Sequence, residues 1–131
     1  VRAVILADTS IWIRHFRESN PELCALLSNG QVATHPFVLG ELACGNLPQR
    51  KTTLEDLGNL PNASACLDRE VRDLIESRQL MGKGIGYIDA HLLASSLVSS
   101  INLWTADKRL HEIACTLGCS HESTGENTPS N

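Results

Sequence analysis

Apolar residues run without alternation through Val4-Ile5-Leu6-Ala7, and a second strand-like run follows at Asn102-Leu103-Trp104-Thr105. Runs this short and this unbroken predict strands covered on both faces, as in a parallel sheet, with the first strand over about Ala3 to Ala7. Between them the apolar period becomes helical. A short helical turn carries Trp12 and Phe16. Asn20-Pro21 then offers an N-cap with proline at the first helical position, Leu23, Leu26 and Leu27 share a face, and Asn29-Gly30 supplies a stop. A brief strand, Gln31 to Thr34, leads through Pro36 into a helix with Phe37, Val38, Glu41 and Leu42 that ends at Gly45-Asn46.

Pro48 and Pro61 bracket a segment with Leu54, Leu57 and Leu60, and Leu67, Val71, Leu74 and Ile75 mark a second amphipathic helix. These two read as a covering layer. Gly82, Gly84 and Gly86 break the pattern before a helix with Asp89 in its first turn and Leu92, Leu93 and Leu97 inward. The last helix starts near Asp107, buries Leu110, Ile113, Ala114 and Leu117, and stops at Gly118. Strands alternating with helices predict an α/β fold in which a central, mainly parallel sheet is flanked by helices in three layers. At 131 residues the chain makes one folding unit. The expected boundaries are a domain over 1–119 and a polar, disordered tail over 120–131.

Sites in such folds gather at the carboxyl ends of the strands. Asp8 and Asp107 follow the two apolar runs, and Glu41 and Asp89 sit on helices that follow other breaks. Each has an ordinary explanation: Asp8 and Asp107 as N-caps, Asp89 as a complement to its helix dipole, Glu41 as a solvated helix-edge residue. Taken together they predict a divalent-metal site, because carboxylates are hard oxygen donors and a crowd of them repels itself without a cation. Mg²⁺ or Mn²⁺ fits that chemistry.

Formal net charge is −4, which argues against a broad basic nucleic-acid surface. A bound cation reverses the local field, so a phosphate substrate stays in play. The five cysteines are odd in number and contain no Cys-x-x-Cys pair, so a disulfide framework is not expected and a reducing, cytoplasmic setting is. The opening apolar run is far too short to span a bilayer, and neither a signal peptide nor a membrane association is expected.

The sequence resembles the PIN-domain ribonucleases, and among them the VapC toxins of bacterial toxin-antitoxin pairs. The likeness lies in Leu6-Ala7-Asp8-Thr9-Ser10-Ile11-Trp12-Ile13, Gly40-Glu41-Leu42, Gly86-Tyr87-Ile88-Asp89-Ala90-His91-Leu92-Leu93-Ala94 and Leu103-Trp104-Thr105-Ala106-Asp107-Lys108-Arg109-Leu110. It covers roughly residues 3 to 118. The resemblance implies a PIN-like sandwich, an acidic pocket of Asp8, Glu41, Asp89 and Asp107 holding Mg²⁺ or Mn²⁺, endonucleolytic hydrolysis of RNA, and a cognate VapB-like antitoxin that blocks it. Thr9, Ser10 and Thr105 become supporting hydroxyls, against readings as turn caps and a strand-closing residue. Arg14, Arg17, Lys83, Lys108 and Arg109 become contacts for the RNA backbone, against solvated surface charge.

Trp12, Phe16 and the leucines of the Leu47 to Leu60 segment predict an exposed apolar groove for the antitoxin, and helices on another face a two-fold homodimer. Two other readings are carried. One is a catalytically silent PIN-like binding module. The other is a haloacid-dehalogenase-type phosphatase, which also opens on a strand and Asp but wants a second Asp where Ser10 stands. His91, two residues from Asp89, reads as a surface residue. His111, Cys115, Cys119 and His121 have zinc-like spacing, against an ordinary semi-buried cysteine on a helix.

Overall fold

The structure is a computed structural model that describes residues 3–124. Three strands, β1 (Ile5–Ala7), β2 (Val32–Ala33) and β3 (Asn102–Trp104), form a parallel sheet in the order β2-β1-β3. Ile5 lies opposite Val32 and Asn102, and Ala7 opposite Trp104. Every residue of β1 is buried, which requires packing on both faces and accounts for its unbroken apolar run. The strands are shorter than expected. Ala3 is exposed and β2 pairs with β1 over only two residues; Gln31 adds just its carbonyl, which accepts from the Ile5 N–H at 2.9 Å, and Thr34 turns away to a single bridge with Asn62.

Seven helices complete the described chain: α1 (Thr9–Arg17), α2 (Pro21–Ser28), α3 (Pro36–Ala43), α4 (Arg50–Gly58), α5 (Asp68–Ser77), α6 (Tyr87–Ser99) and α7 (Lys108–Leu117). Local signals set their ends. Asn20 accepts from the Leu23 N–H at 3.0 Å ahead of Pro21, and Gly118 closes α7 at φ 78°, a left-handed conformation that glycine adopts without strain. The turn expected at Trp12 is in fact a nine-residue helix, α1.

His35 fixes the start of α3. Its Nδ1 accepts from the Phe37 N–H at 3.0 Å, so the ring proton lies on Nε2 and is donated to Ser95 Oγ on α6, also at 3.0 Å. That bond locks α3, and with it Glu41, against the central helix. Burial pushes the His35 imidazole below its usual value, with the nearby His91 adding to the effect.

Three expectations are corrected. Leu67 is 59% exposed, because it caps α5 from outside and its N–H is taken by Glu70 at 2.7 Å. His91 is only 3% exposed: α6 is buried from Ala90 through Ser96, so leaving the face of Asp89 does not lead to solvent. Its Nε2 meets Asp68 Oδ1 at 3.0 Å, and the same oxygen accepts from the Tyr87 hydroxyl at 2.7 Å. Finally, the chain past 119 does not leave the fold at once. Leu103 donates to Cys119 O at 2.7 Å and His121 donates to Leu103 O at 2.9 Å, so residues 119–121 lie along β3. Residues 125–131 of the expected tail lie outside the described residues.

Candidate active site

Because all three strands are parallel, their carboxyl ends coincide. The Asp8 N–H donates to Trp104 O at 3.0 Å, which places the exits of β1 and β3 side by side. Asp8 caps α1 by accepting from the Ile11 N–H at 3.2 Å, and Asp107 caps α7 by accepting from the Leu110 N–H at 3.0 Å. Asp89 Oδ2 accepts from the Gly86 N–H at 3.0 Å at the start of α6. Capping and clustering are therefore not alternatives, since the caps fix the carboxylates where the sheet ends.

The small hydroxyls tie these elements together. Ser10 Oγ donates to Asp8 Oδ1 at 2.5 Å and accepts from the Ala106 N–H at 3.0 Å, bridging the two strand exits. Thr105, fully buried, accepts from the Asp107 N–H at 3.0 Å and hydrogen-bonds the Asp8 carboxylate. Thr9 Oγ1 donates to Glu41 Oε1 at 2.7 Å, joining α1 to α3. The Ser10 and Thr105 bridges carry no sequence signal beyond a hydroxyl two residues from each acid.

Electrostatics single out Asp8 and Asp89. Asp8 is 6% exposed, and burial holds its carboxyl above the ordinary range, with the Asp89 charge adding to the rise, against the hydrogen bonds of Ser10, Thr105 and Ile11. Burial also raises Asp89, and the charges of Asp107 and Glu41 raise it further, while the Gly86 bond lowers it. Glu41 and Asp107 are exposed at the rim. The charges that act on Asp8 and Asp89 are those of other carboxylates, with no arginine or lysine among them. Among the described residues no three of the four acids bring oxygens within 4.8 Å of one another. Their arrangement is an open ring of mutually repelling carboxylates in which Asp8 is buried and Asp89 half-buried, a donor set that suits a divalent cation.

The basic residues fall into separate places. Arg17 lines a concavity of about 300 Å³ with Glu41, Ile13, Phe16 and Leu47, and Arg14 lies exposed on the same helix. Lys83 and Arg109 line another of about 260 Å³ together with Arg78, which the sequence did not single out. The Arg109 side chain crosses Gly84, whose φ of 83° and missing Cβ leave room for it: a Cβ there lies 2.6 Å from Nη1. Lys108 is exposed at the start of α7. The zinc-like quartet is not assembled. Cys119 is buried in the core and His121 is bonded to Glu22 at 2.9 Å, whereas His111 and Cys115 meet Glu122 instead.

The model of the PIN domain family matches residues 5–114. The chain belongs to the PIN-domain family. Ribonuclease VapC32 of Mycobacterium tuberculosis, in strains CDC 1551 / Oshkosh and ATCC 25618 / H37Rv, is 43% identical over 113 residues, 86% of this chain and 90% of the relative. The crystal structure of PAE2754 from Pyrobaculum aerophilum shares the fold at a TM-score of 0.56, covering 84% of this chain and 78% of that one at 14% identity. The α/β PIN fold is thus established, and the haloacid-dehalogenase reading gives way. No helix among the described residues is long and apolar enough to cross a membrane.

Proposed function

We propose that this PIN-domain protein is an endoribonuclease of the toxin type, hydrolysing RNA phosphodiester bonds at the carboxylate ring with Mg²⁺ or Mn²⁺. The observation that carries it is the pairing of 43% identity to a ribonuclease over most of both chains with a ring of carboxylates at the sheet's carboxyl edge. Asp8 and Asp89 would hold the ion, with Glu41 and Asp107 at the rim. When bound, the ion supplies Lewis acidity toward water and the scissile phosphate.

The chain's own contribution is arrangement. Ser10 and Thr105 hold the Asp8 carboxylate in one orientation, the Gly86 amide holds Asp89, and Thr9 holds Glu41. Partial burial of the two inner acids lowers the local dielectric, which strengthens their grip on a cation over that of solvated carboxylates. Arg17, in the concavity beside Glu41, and Lys83, Arg109 and Arg78, which share a second concavity, would hold the RNA backbone, with Arg14 and Lys108 as further contacts. Water is the nucleophile, and the products carry a 3′-hydroxyl and a 5′-phosphate.

A cognate VapB-like antitoxin is the expected inhibitor. The concavity of Ile13, Phe16, Arg17, Leu42 and Leu47 abuts Glu41, so a segment bound there can set a basic side chain against the acids. A two-fold homodimer is the expected assembly. The test is cleavage of RNA by the purified chain with Mg²⁺ or Mn²⁺, with mapping of both new ends and growth arrest on expression. Absence of cleavage with either ion across a set of transfer and ribosomal RNAs refutes the reading.

A further inference from the structure

Three ligand-type side chains meet on the far part of α7, outside the carboxylate ring. His111 and Cys115 are four residues apart and therefore share a helix face, and Glu122 reaches them from the segment that follows. Their ligand atoms form a triangle: His111 Nε2 to Glu122 Oε2 3.4 Å, His111 Nε2 to Cys115 Sγ 3.5 Å, and Cys115 Sγ to Glu122 Oε2 3.8 Å. A tetrahedral zinc ion with ordinary bond lengths sets about 3.4 Å between nitrogen and oxygen, about 3.5 Å between nitrogen and sulfur and about 3.6 Å between sulfur and oxygen. The triangle has those edges within a few tenths of an ångström.

An exposed glutamate alone says little, but this one is carried on a fixed backbone. On one side His121 donates its N–H to Leu103 O at 2.9 Å, packs against Trp104 and meets Glu22 at 2.9 Å. On the other, Thr124 N–H donates to Glu22 Oε1 at 3.0 Å. His111 offers the cluster Nε2 alone, because its Nδ1 is buried without a partner.

We propose that His111, Cys115 and Glu122 bind a thiophilic divalent ion, zinc by geometry, which staples residues 119–122 to α7. The nitrogen, sulfur and oxygen donors suit zinc rather than the hard ions that suit the carboxylate ring. Three protein ligands leave the fourth position to water. On binding, the Cys115 thiol gives its proton to solvent and the sulfur enters as thiolate. The closed staple secures the 119–121 segment along β3, the edge whose exit carries Thr105 and Asp107.

The test uses the full 131-residue chain with zinc alone in equilibrium dialysis, and cobalt as a spectroscopic substitute. The expected result is a single equivalent of zinc, a thiolate-to-cobalt charge-transfer band, and a zinc-induced rise in melting temperature. All three should be lost in Cys115→Ser and the affinity weakened at least about tenfold in Glu122→Gln. Both positions are exposed, so neither change threatens the fold, and circular dichroism verifies this. Asp8→Asn and the Cys24→Ser/Cys44→Ser double variant should keep the site. Zinc uptake that survives Cys115→Ser, uptake that disappears with Asp8→Asn, or a cobalt complex without the thiolate band overturns the proposal.

Discussion

Ser10 Oγ lies 2.5 Å from Asp8 Oδ1, and the same hydroxyl accepts the Ala106 N–H at 3.0 Å. One small side chain therefore orients the buried acid and holds the exits of β1 and β3 together. Ser10→Ala is expected to lower RNA cleavage about 10- to 100-fold, the usual cost of removing a group that orients a ligand, while leaving a folded protein. Ser10→Thr should retain most activity. Initial rates across a metal titration separate a weakened metal affinity from a slower reaction, and full activity in Ser10→Ala would sink the role.

The two inner acids make a stability prediction with a definite sign. Burial raises the carboxyls of Asp8 and Asp89 above their ordinary 3.8, so without a cation the folded state holds these protons more tightly than the unfolded state. The stability they contribute is fully present below 3.8 and is lost as pH rises through the raised folded values. Urea unfolding of the metal-free protein should show stability falling as pH rises over that window. Asp8→Asn keeps an oxygen for the Ile11 cap but sheds the charge, so it should flatten the profile and raise stability above it, while RNA cleavage falls at least about 100-fold.

How much of this was legible in the sequence depended on the range of the signal. Asn20-Pro21, Pro36 and Gly118 act within one turn, and each marks the end it should. The order of acids along the chain was readable too, since α/β topology alone puts residues after strands at one edge. Longer-range facts were not. His91 read as a surface residue because helical phase shows only that a side chain leaves a given face. It cannot show that α5 and Phe37 cover the face it turns to, as they do through Asp68 and a ring contact at 4.7 Å. Cys119 and His121 fit a zinc spacing, yet the chain runs along β3 after Gly118 and sends them elsewhere, bringing Glu122 to His111 and Cys115. Single bridges such as Thr34 with Asn62 leave no periodic trace at all.

Metal should report on the ring independently of activity. A cation bound only by the folded chain stabilises it by mass action, so millimolar Mg²⁺ or Mn²⁺ should raise the melting temperature by several degrees and EDTA should reverse the rise. The increment should vanish in Asp89→Asn. An unchanged shift in that variant means the ions bind elsewhere.

The two aromatics at the expected antitoxin groove call for different tests. Trp12 lines the hollow of about 230 Å³ with Phe16, Leu57 and Leu60, as expected, but it does so from the core: it is only 2% exposed, with its ring stacked 6.0 Å from Phe16. Trp12→Ala is therefore expected to cost about 3–5 kcal/mol of stability by leaving a cavity, and any loss of partner binding would merely follow from unfolding. Phe16 is different. It is half-buried and lines both the 300 Å³ concavity beside Glu41 and a second one of about 230 Å³ with Leu27, Leu57 and Leu60. An aromatic shared by two adjacent hollows is the natural anchor for an apolar partner segment. Phe16→Ala should weaken binding of the protein encoded beside this one at least tenfold, a loss of about 1.4 kcal/mol, while nuclease activity without that protein persists. Titration calorimetry with the purified neighbour decides it: unchanged affinity in a folded Phe16→Ala protein moves the interface to another face.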